Sequence, residues 1–488
     1  MDQLKPILKT PILKTIAERF VNEIKGEEKM DKNESLEKGK ALRKVVSRKE
    51  QGDFTITKDR KQTLLLILDQ EKTRVPELIP IRHERMLQSP FAFFRGAAIT
   101  MADDLAKMKS TNIKVQACGD AHIANFGIFA SPERRLVFDI NDFDETLPAT
   151  WEWDVKRLCV SIEICGRERG FSEQDRANTV FTAAKAYCES MKDYSDMGAL
   201  DVYYDHMDLE KMIKDMGNDE TKFDFAHSQI HKTMQKAITK NNMKALDKLT
   251  ETVDGHVRMI SNPPLIVPFR DLADSENIAI NEGKASEFLS IVLKKYRLTL
   301  PKERRRLLDQ YSIVDAGRKV VGVGSVGTRC YMIVLEGDGK HDPLILQVKE
   351  ANQSVLEPYA GKSEYLEHGR RVIEGQRAIQ TAGDILTGWV RIPDFHGQLM
   401  DYYVRQLWDC KGSINLDKVT ADELVGYGAL CARTLAHAHA KTGNRHMISG
   451  YLGKGDKFAK AMVRFSQCYA DQNAIDYECF KQMIQSQK

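Results

Sequence analysis

At 488 residues the chain is too long for one small core and is expected to fold as two or three packed units. Its 73 basic and 70 acidic residues leave a net charge of +3, so bulk charge argues for neither a nucleic-acid nor a membrane partner. There is no apolar run of membrane-spanning length and no apolar signal core at the start, and the nine scattered cysteines show no CxxC spacing; a soluble, cytoplasmic protein in a reducing compartment is expected.

Residues 1–60 carry a repeated "PILKT" and a lysine- and glutamate-rich stretch with little to bury, and are expected to form a solvated, partly helical extension. Within it, "PILKTIAERFVNEIK" has the spacing of one amphipathic helix. A large helical lobe is expected over 61–310. It opens with "MLQSPFAFFRGAAITMADDLAKM", where Ser89-Pro90 marks a helix start ahead of helix-period apolar residues. The alternating run "NIKVQA" predicts a strand leading into "CGDAHIANFG", and a second apolar run ends in "VFDINDFDE". Residues 155–310 read as mostly helical, with Ser172 as the N-cap of "SEQDRANTVFTAAKAYCESM". Near residue 311 the composition turns to Val, Ile and Gly, which predicts a small five-stranded unit over 311–410. Helical pattern returns over 411–488, where Tyr427, Leu430, Cys431, Thr434, Leu435 and Ala438 mark a buried face. His437 and His439 on this helix read as packing or surface residues, since positions two apart do not share a helical face.

Chemistry concentrates in two loops. Asp120 and Asn125 stand five positions apart, a spacing that suits one residue taking a proton from an attacking hydroxyl and another offering a carbonyl oxygen to magnesium. Asp142 supplies an anionic ligand for the same ion. Asp139 and Asp144 stand on the same strand end, and the even spacing of Asp142 and Asp144 lets both face one site. So many carboxylates together are costly without a cation. A calcium loop does not fit, because Phe143 and Asp144 stand where an oxygen ligand and a glycine are needed. "GDAH" without further metallophosphatase blocks argues against a hydrolase.

The small unit holds Gly322, Gly324 and Gly327 as G-x-G-x-x-G inside a hairpin, not before a helix, which fits a cover over nucleotide phosphates rather than a dinucleotide fingerprint. Lys349, in "LILQVKEA", shares a strand face with Gln347 and Ile345, while Leu346 and Val348 point the other way. A lysine so placed clamps phosphate once a carboxylate fixes it. Glu374 on the following helix is the expected partner, with Glu364 and Glu367 as alternatives.

"CGDAHIAN" followed by "VFDINDFDE" resembles segments of aminoglycoside phosphotransferase and related kinase-like enzymes, and "WEWDVKRL", with Asp154, resembles the helix start that follows them. Cys118 stands where that loop usually has histidine. More closely, "PIRHERMLQSPFAFFRGAA", "GVGSVGTRCY", "VIEGQR" and "YYVRQLWDCKGS", with the two loops, resemble the bacterial domain-of-unknown-function family numbered 2252. The kinase-like resemblance implies an α+β, circularly permuted two-lobed fold with a small antiparallel-sheet nucleotide lobe and a large, mainly helical lobe, because here the glycine hairpin follows the catalytic loop. It implies ATP and Mg2+ as cofactors, Asp120 as catalytic residue, Asn125, Asp142 and Asp144 as metal ligands, and adenine against "RQLWD" near Gln406, Leu407 and Trp408. The expected function is an ATP- and magnesium-dependent phosphotransferase acting on an unidentified hydroxyl of a small molecule or protein. AMP transfer on the same fold and a nucleotide-binding regulator are the alternatives. Arg82, Arg85 and Arg95 are candidates for an anionic substrate or for structural ion pairs.

Overall fold

The computed structural model describes residues 30–209, 233, 242–275, 282–339, 342–394, 397–407 and 410–486. The amphipathic helix expected at 11–25 and Trp408 lie outside these residues. Where the extension is described, it is docked rather than solvated. α1 (Lys32–Ala41), capped by Asp31, buries Ser35 and Gly39, and just beyond it Arg43 reaches the Tyr451 carbonyl at 2.9 Å. The charge-rich composition hid this docking, which rests on the small Ser35 and Gly39 in α1 and on a few scattered apolar residues beyond it, Leu42, Val46 and Phe54.

Ser89 Oγ accepts the Ala92 amide at 3.1 Å and starts α2 (Pro90–Gly96). The single helix expected there breaks at Ala97 (φ −118°, ψ 38°) and resumes as α3 (Ala98–Ala106). Next, β1 (Lys114–Ala117), β2 (Phe126–Ala130), β3 (Leu136–Ile140) and β4 (Leu147–Thr150) form two antiparallel pairs, β1 with β4 and β2 with β3. The chain therefore crosses between the pairs twice, at 118–125 and at 141–146. The Asn141 amide donates to the Asn125 carbonyl at 2.8 Å and ties the crossings together.

Trp151 stacks on Tyr187 with ring centroids 5.6 Å apart, joining the start of α4 (Glu152–Glu168) to α5 (Glu173–Asp196). Ser172 caps α5 through the Asp175 amide, as its sequence predicts. β5 (Met207–Asp208) extends β3, and β6 (Thr250–Val253) with β7 (His256–Met259) makes a short hairpin. β8 (Ile266–Pro268) falls in the stretch read as helical; three residues ending in proline are too few to carry a strand period.

Following α6 (Glu282–Thr299), all five expected strands of the small unit are present: β9 (Ser312–Lys319), β10 (Cys330–Glu336), β11 (Pro343–Glu350), β12 (Gly388–Pro393) and β13 (Leu399–Gln406). With β8 they form one antiparallel sheet in the order β12-β13-β11-β10-β9-β8. Strand alternation divides its side chains. Tyr331, Ile333, Leu335, Leu346 and Val348 pack on one face with Tyr296 of α6, while Cys330, Met332, Val334 and Ile345 take the other. Lys349 is on the second face, as the period of two requires.

α7 (His368–Ile379) lies between this sheet and the β1–β4 pair. α8 (Ala421–Thr442) begins with a full capping box of Thr420 and Glu423 and buries every residue of its expected apolar face. It packs on α5 and reaches β1, and α9 (Arg445–Leu452) and α10 (Asp456–Ser486) complete the helical body. The fold is thus mixed α+β. Among the described residues no helix is long and apolar enough to cross a membrane.

Candidate functional site

The loop after β1 turns at Gly119 (φ +81°), where a side chain would strike the Glu145 carbonyl. Asp154, in the first turn of α4, accepts the Cys118 amide at 2.8 Å and the Gly119 amide at 3.0 Å. Behind it, His439 Nε2 stands 3.3 Å from Asp154 Oδ2, and His439 Nδ1 meets the Tyr187 hydroxyl at 2.8 Å. His439 is therefore part of the loop's support, not simple packing. With Tyr427 also donating to the Ile123 carbonyl at 2.8 Å, α8 lies against the loop as well as against β1.

This support fixes the side chains that follow. Asp120 Oδ1 accepts Arg157 Nε at 2.7 Å, and Arg157 is held over the Phe94 ring and bonded to the Phe94 carbonyl at 2.8 Å. Asn125 Nδ2 donates to the Asp120 carbonyl at 2.8 Å, which turns Oδ1 away from that bond. His122 is buried, and desolvation, reinforced by Arg95 and Arg157, pushes its pKa well down, so the ring is neutral.

The second crossing brings Asp142 and Asp144 to the same place. Burial, then the neighbouring Asp144, pushes Asp142 upward. Burial acts upward on Asp144 too, but Lys349 and the Tyr403 hydroxyl outweigh it and hold Asp144 down. Asp144 binds Lys349 Nζ through Oδ2 and accepts Tyr403 Oη at 2.7 Å. Burial alone would lower Lys349, yet Asp144, Tyr403 and Asp142 raise it well above its ordinary value, so it is charged. Ser325, in the glycine hairpin, donates to Asp144 Oδ2 at 3.3 Å and lays the hairpin over the pair.

A cavity of about 400 Å³ results, lined by Asp120, Asn125, Asp142 and Asp144 on one side and by Gly322 and Gly324 on the other. Gly327 (φ +93°) stands behind the lining, where a side chain would press on Arg74. A second cavity of about 230 Å³ shares Asn125 and Asp142 with the first and runs toward Lys411 and Gly412.

Other expected positions go elsewhere. Glu374 pairs with Arg377 at 3.4 Å, and the carboxylate on Lys349 is Asp144. The face of α7 turned to the crossings carries Arg371 and Gly375; Arg371 donates to the carbonyls of Thr146 and Asp144 at 2.7 and 2.8 Å, which leaves Glu374 one step round the helix. The Gln406 amide is taken by Asp384 Oδ2 at 2.5 Å and the Leu407 amide by the Ile345 carbonyl at 2.9 Å, so neither is open to an adenine. Arg82 is fully buried on Glu71 and the Gly96 carbonyl. Arg85 holds the Gly322 carbonyl.

Asp139 lies outside both cavities, buried at the foot of β3 with its Oδ1 on the Ile140 amide at 2.8 Å. Burial raises it to about 7, against the partial opposition of that amide and of Lys441. A carboxyl raised in the folded state contributes stability that is complete below its ordinary value near 3.8 and is lost as pH rises through about 7. Asp139→Asn removes this dependence. The difference in urea unfolding stability between wild type and variant should therefore shrink or reverse from pH 5 to pH 8, by at most about 3 kcal/mol. A difference independent of pH would show that Asp139 is ionised in the fold.

Among the described residues no three His, Cys, Asp or Glu side chains gather to hold a metal unaided. Asn125 and Asp142 do suit magnesium as a partial set. They are hard oxygen donors, and the crowding of Asp142 by Asp144 is what a cation relieves.

The residues that sequence reading passed over are supports. Arg157 follows Asp154 by one helical step, so both face the loop, and that i, i+3 spacing in "WEWDVKRL" was the available signal. No local signal marks Tyr403 or Arg371. No curated protein and no solved structure matches the chain. Asp120, Asn125, Asp142, Asp144, the glycine hairpin and Lys349 fall within one stretch, residues 74–483, that matches the profile of a family described as uncharacterised proteins conserved in bacteria (DUF2252), and the chain belongs to that family.

Proposed function

We propose that the protein is an ATP- and magnesium-dependent phosphotransferase with a circularly permuted kinase-like arrangement, acting on a hydroxyl acceptor in the cytoplasm. The observation that carries this reading is the single cavity into which Asp120, Asn125 and Asp142 face from two crossings while the glycine hairpin covers it and Lys349 closes on Asp144 across 205 residues of sequence. Within one sheet, the order strand, glycine turn, strand, lysine strand, helix is the order of parts that a kinase uses to cover and clamp phosphates.

The roles follow from the contacts. Asp120, held through one oxygen by Arg157, orients the acceptor hydroxyl and takes its proton. Lys349 offers a fixed positive charge to phosphate oxygens, and the hairpin brings backbone N–H groups close because glycines leave room. Asn125 and Asp142 would hold magnesium, which supplies neutralising charge at the phosphates. Most of the acceleration comes from positioning and fixed charge.

A second reading, AMP transfer, has an observation in its favour. The amides of Gln406 and Leu407 are committed within the protein, and the larger cavity is lined by Thr73 and His368 but by neither of them. A nucleotide whose phosphates sit near Asn125 and Asp142 thus has room for its base in a part of the cavity that Gln406 and Leu407 do not line. ATP labelled at the γ or the α phosphate separates the cases. Phosphotransfer puts γ label on an acceptor or on the protein, and AMP transfer puts α label there. In either case Asp142→Asn should remove the magnesium dependence of nucleotide binding while the fold persists; nucleotide binding that keeps its full magnesium response in the variant would move the metal to other ligands.

A further inference from the structure

Arg95 stands at the C-terminal end of α2 and lines the larger cavity. Its Nε is buried without a hydrogen-bond partner, and among the described residues it forms no ion pair. The neighbouring arginines are committed elsewhere: Arg82 to Glu71, Arg85 to the Gly322 carbonyl and Arg157 to Asp120. Its position is set by the same support that holds Asp120, since Arg157 bonds both Asp120 and the carbonyl of Phe94, the residue before Arg95. The Arg95 carbonyl also lies beneath Gly324, 3.3 Å from where a side chain there would begin.

Arg74 backs it. This residue is 8% exposed and lines the same cavity; it donates to the Val326 carbonyl, and its Nε has no partner. Burial, then the nearby Arg82, pushes Arg74 down to about 9, and burial lowers Arg95 as well despite Asp120 and Asp142. A guanidinium group in this cavity with an unused donor and no protein carboxylate bonded to it, as Arg95 is, is matched by an oxyanion that accepts its N–H groups. Lys349, on the sheet, is already bonded to Asp144. The cavity therefore carries a second centre of positive charge on the wall that presents Asp120.

We propose that Arg95 forms an oxyanion subsite beside Asp120 that receives a phosphate group of the acceptor, so that the acceptor is a phosphorylated compound bearing a free hydroxyl. This rests on the reading of Asp120 as the group that orients that hydroxyl. The nucleotide's own phosphates belong to the hairpin and Lys349, and the two anion positions are occupied together.

Calorimetric titration of the full chain with inorganic phosphate, alone and with saturating magnesium and a non-hydrolysable ATP analogue, tests this. Phosphate should bind in both conditions. Arg95→Gln should weaken phosphate at least about tenfold and leave the analogue within about twofold, with Arg95→Lys between. Because Arg95 has no protein partner, its thermal unfolding should be unchanged. Three results overturn the proposal: no phosphate binding by wild type, phosphate displaced by the analogue with Arg95→Gln weakening both, or acetate bound as tightly as phosphate. If wild type fails to bind the analogue, the nucleotide reading falls by itself, and the titration with phosphate alone still decides whether Arg95 holds an oxyanion.

Discussion

Asp120→Asn is expected to lower group transfer about a thousandfold while nucleotide affinity stays within about twofold. The substitution keeps the size of the side chain and an oxygen for Arg157 Nε, 2.7 Å away, so the loop has no reason to move. What it removes is the oxygen free to take a proton. The other carboxylate oxygen, Oδ2, lies 3.7 Å from His122, too far for a hydrogen bond, and His122 is neutral by burial and does not replace it as a base. The proposed nucleotide contacts, the hairpin and Lys349, do not bond to Asp120. Single-turnover rates with the nucleotide and acceptor both saturating give the loss in the chemical step, and a separate titration gives the affinity. Parallel loss of rate and affinity would make Asp120 an anchor of the cavity. A rate reduced less than about tenfold would leave the site without its proposed base.

Local pattern carried a good part of this architecture. The alternation in "CYMIVLE" separates two packed faces of the sheet, and "LILQVKEA" placed Lys349 on the correct one. Ser172, Ser89 and Thr420 begin helices because a side-chain oxygen before a helical run answers a free amide, a rule that acts within four residues. The grouping of Asp120, Asn125 and Asp142 was legible too, since each loop leaves the end of a recognisable strand.

Partnerships across the fold were not. Glu374 is the expected partner of Lys349 because a helix follows its strand, but which side of that helix faces the sheet depends on packing against β1 and β4, and there the small Gly375 fits against Thr146 while Arg371 spans three carbonyls. The amides of Gln406 and Leu407 look free in sequence. Only the fold brings Asp384 to one and pairs the other with β11. Arg95 is the reverse case: sequence offers it as one arginine of three, and burial without a partner distinguishes it.

Asp154→Ala is expected to cost about 3–5 kcal/mol and to loosen the Asp120 loop before the rest of the molecule. The carboxylate is 1% exposed and receives two backbone amides, Cys118 at 2.8 Å and Gly119 at 3.0 Å. Removing it strands both amides in a water-poor place and leaves His439 with one partner, Tyr187. Gly119 cannot relax freely, because it is confined by the Glu145 carbonyl. Since a chain of this size need not unfold in one step, the sharper measurement is hydrogen exchange at the Cys118 and Gly119 amides. Their protection should fall by at least about a hundredfold, with far smaller changes in β9 to β13, which Asp154 does not touch. Asp154→Asn retains one acceptor oxygen and should lie between wild type and alanine. Because Asp154 acts through the loop and not on the reactants, both variants should lower the transfer rate in step with lost protection at Cys118 and Gly119. Full protection of those amides in Asp154→Ala would mean that the turn is held by Gly119 and the β1–β4 pairing alone, and the role assigned to Asp154 would fall.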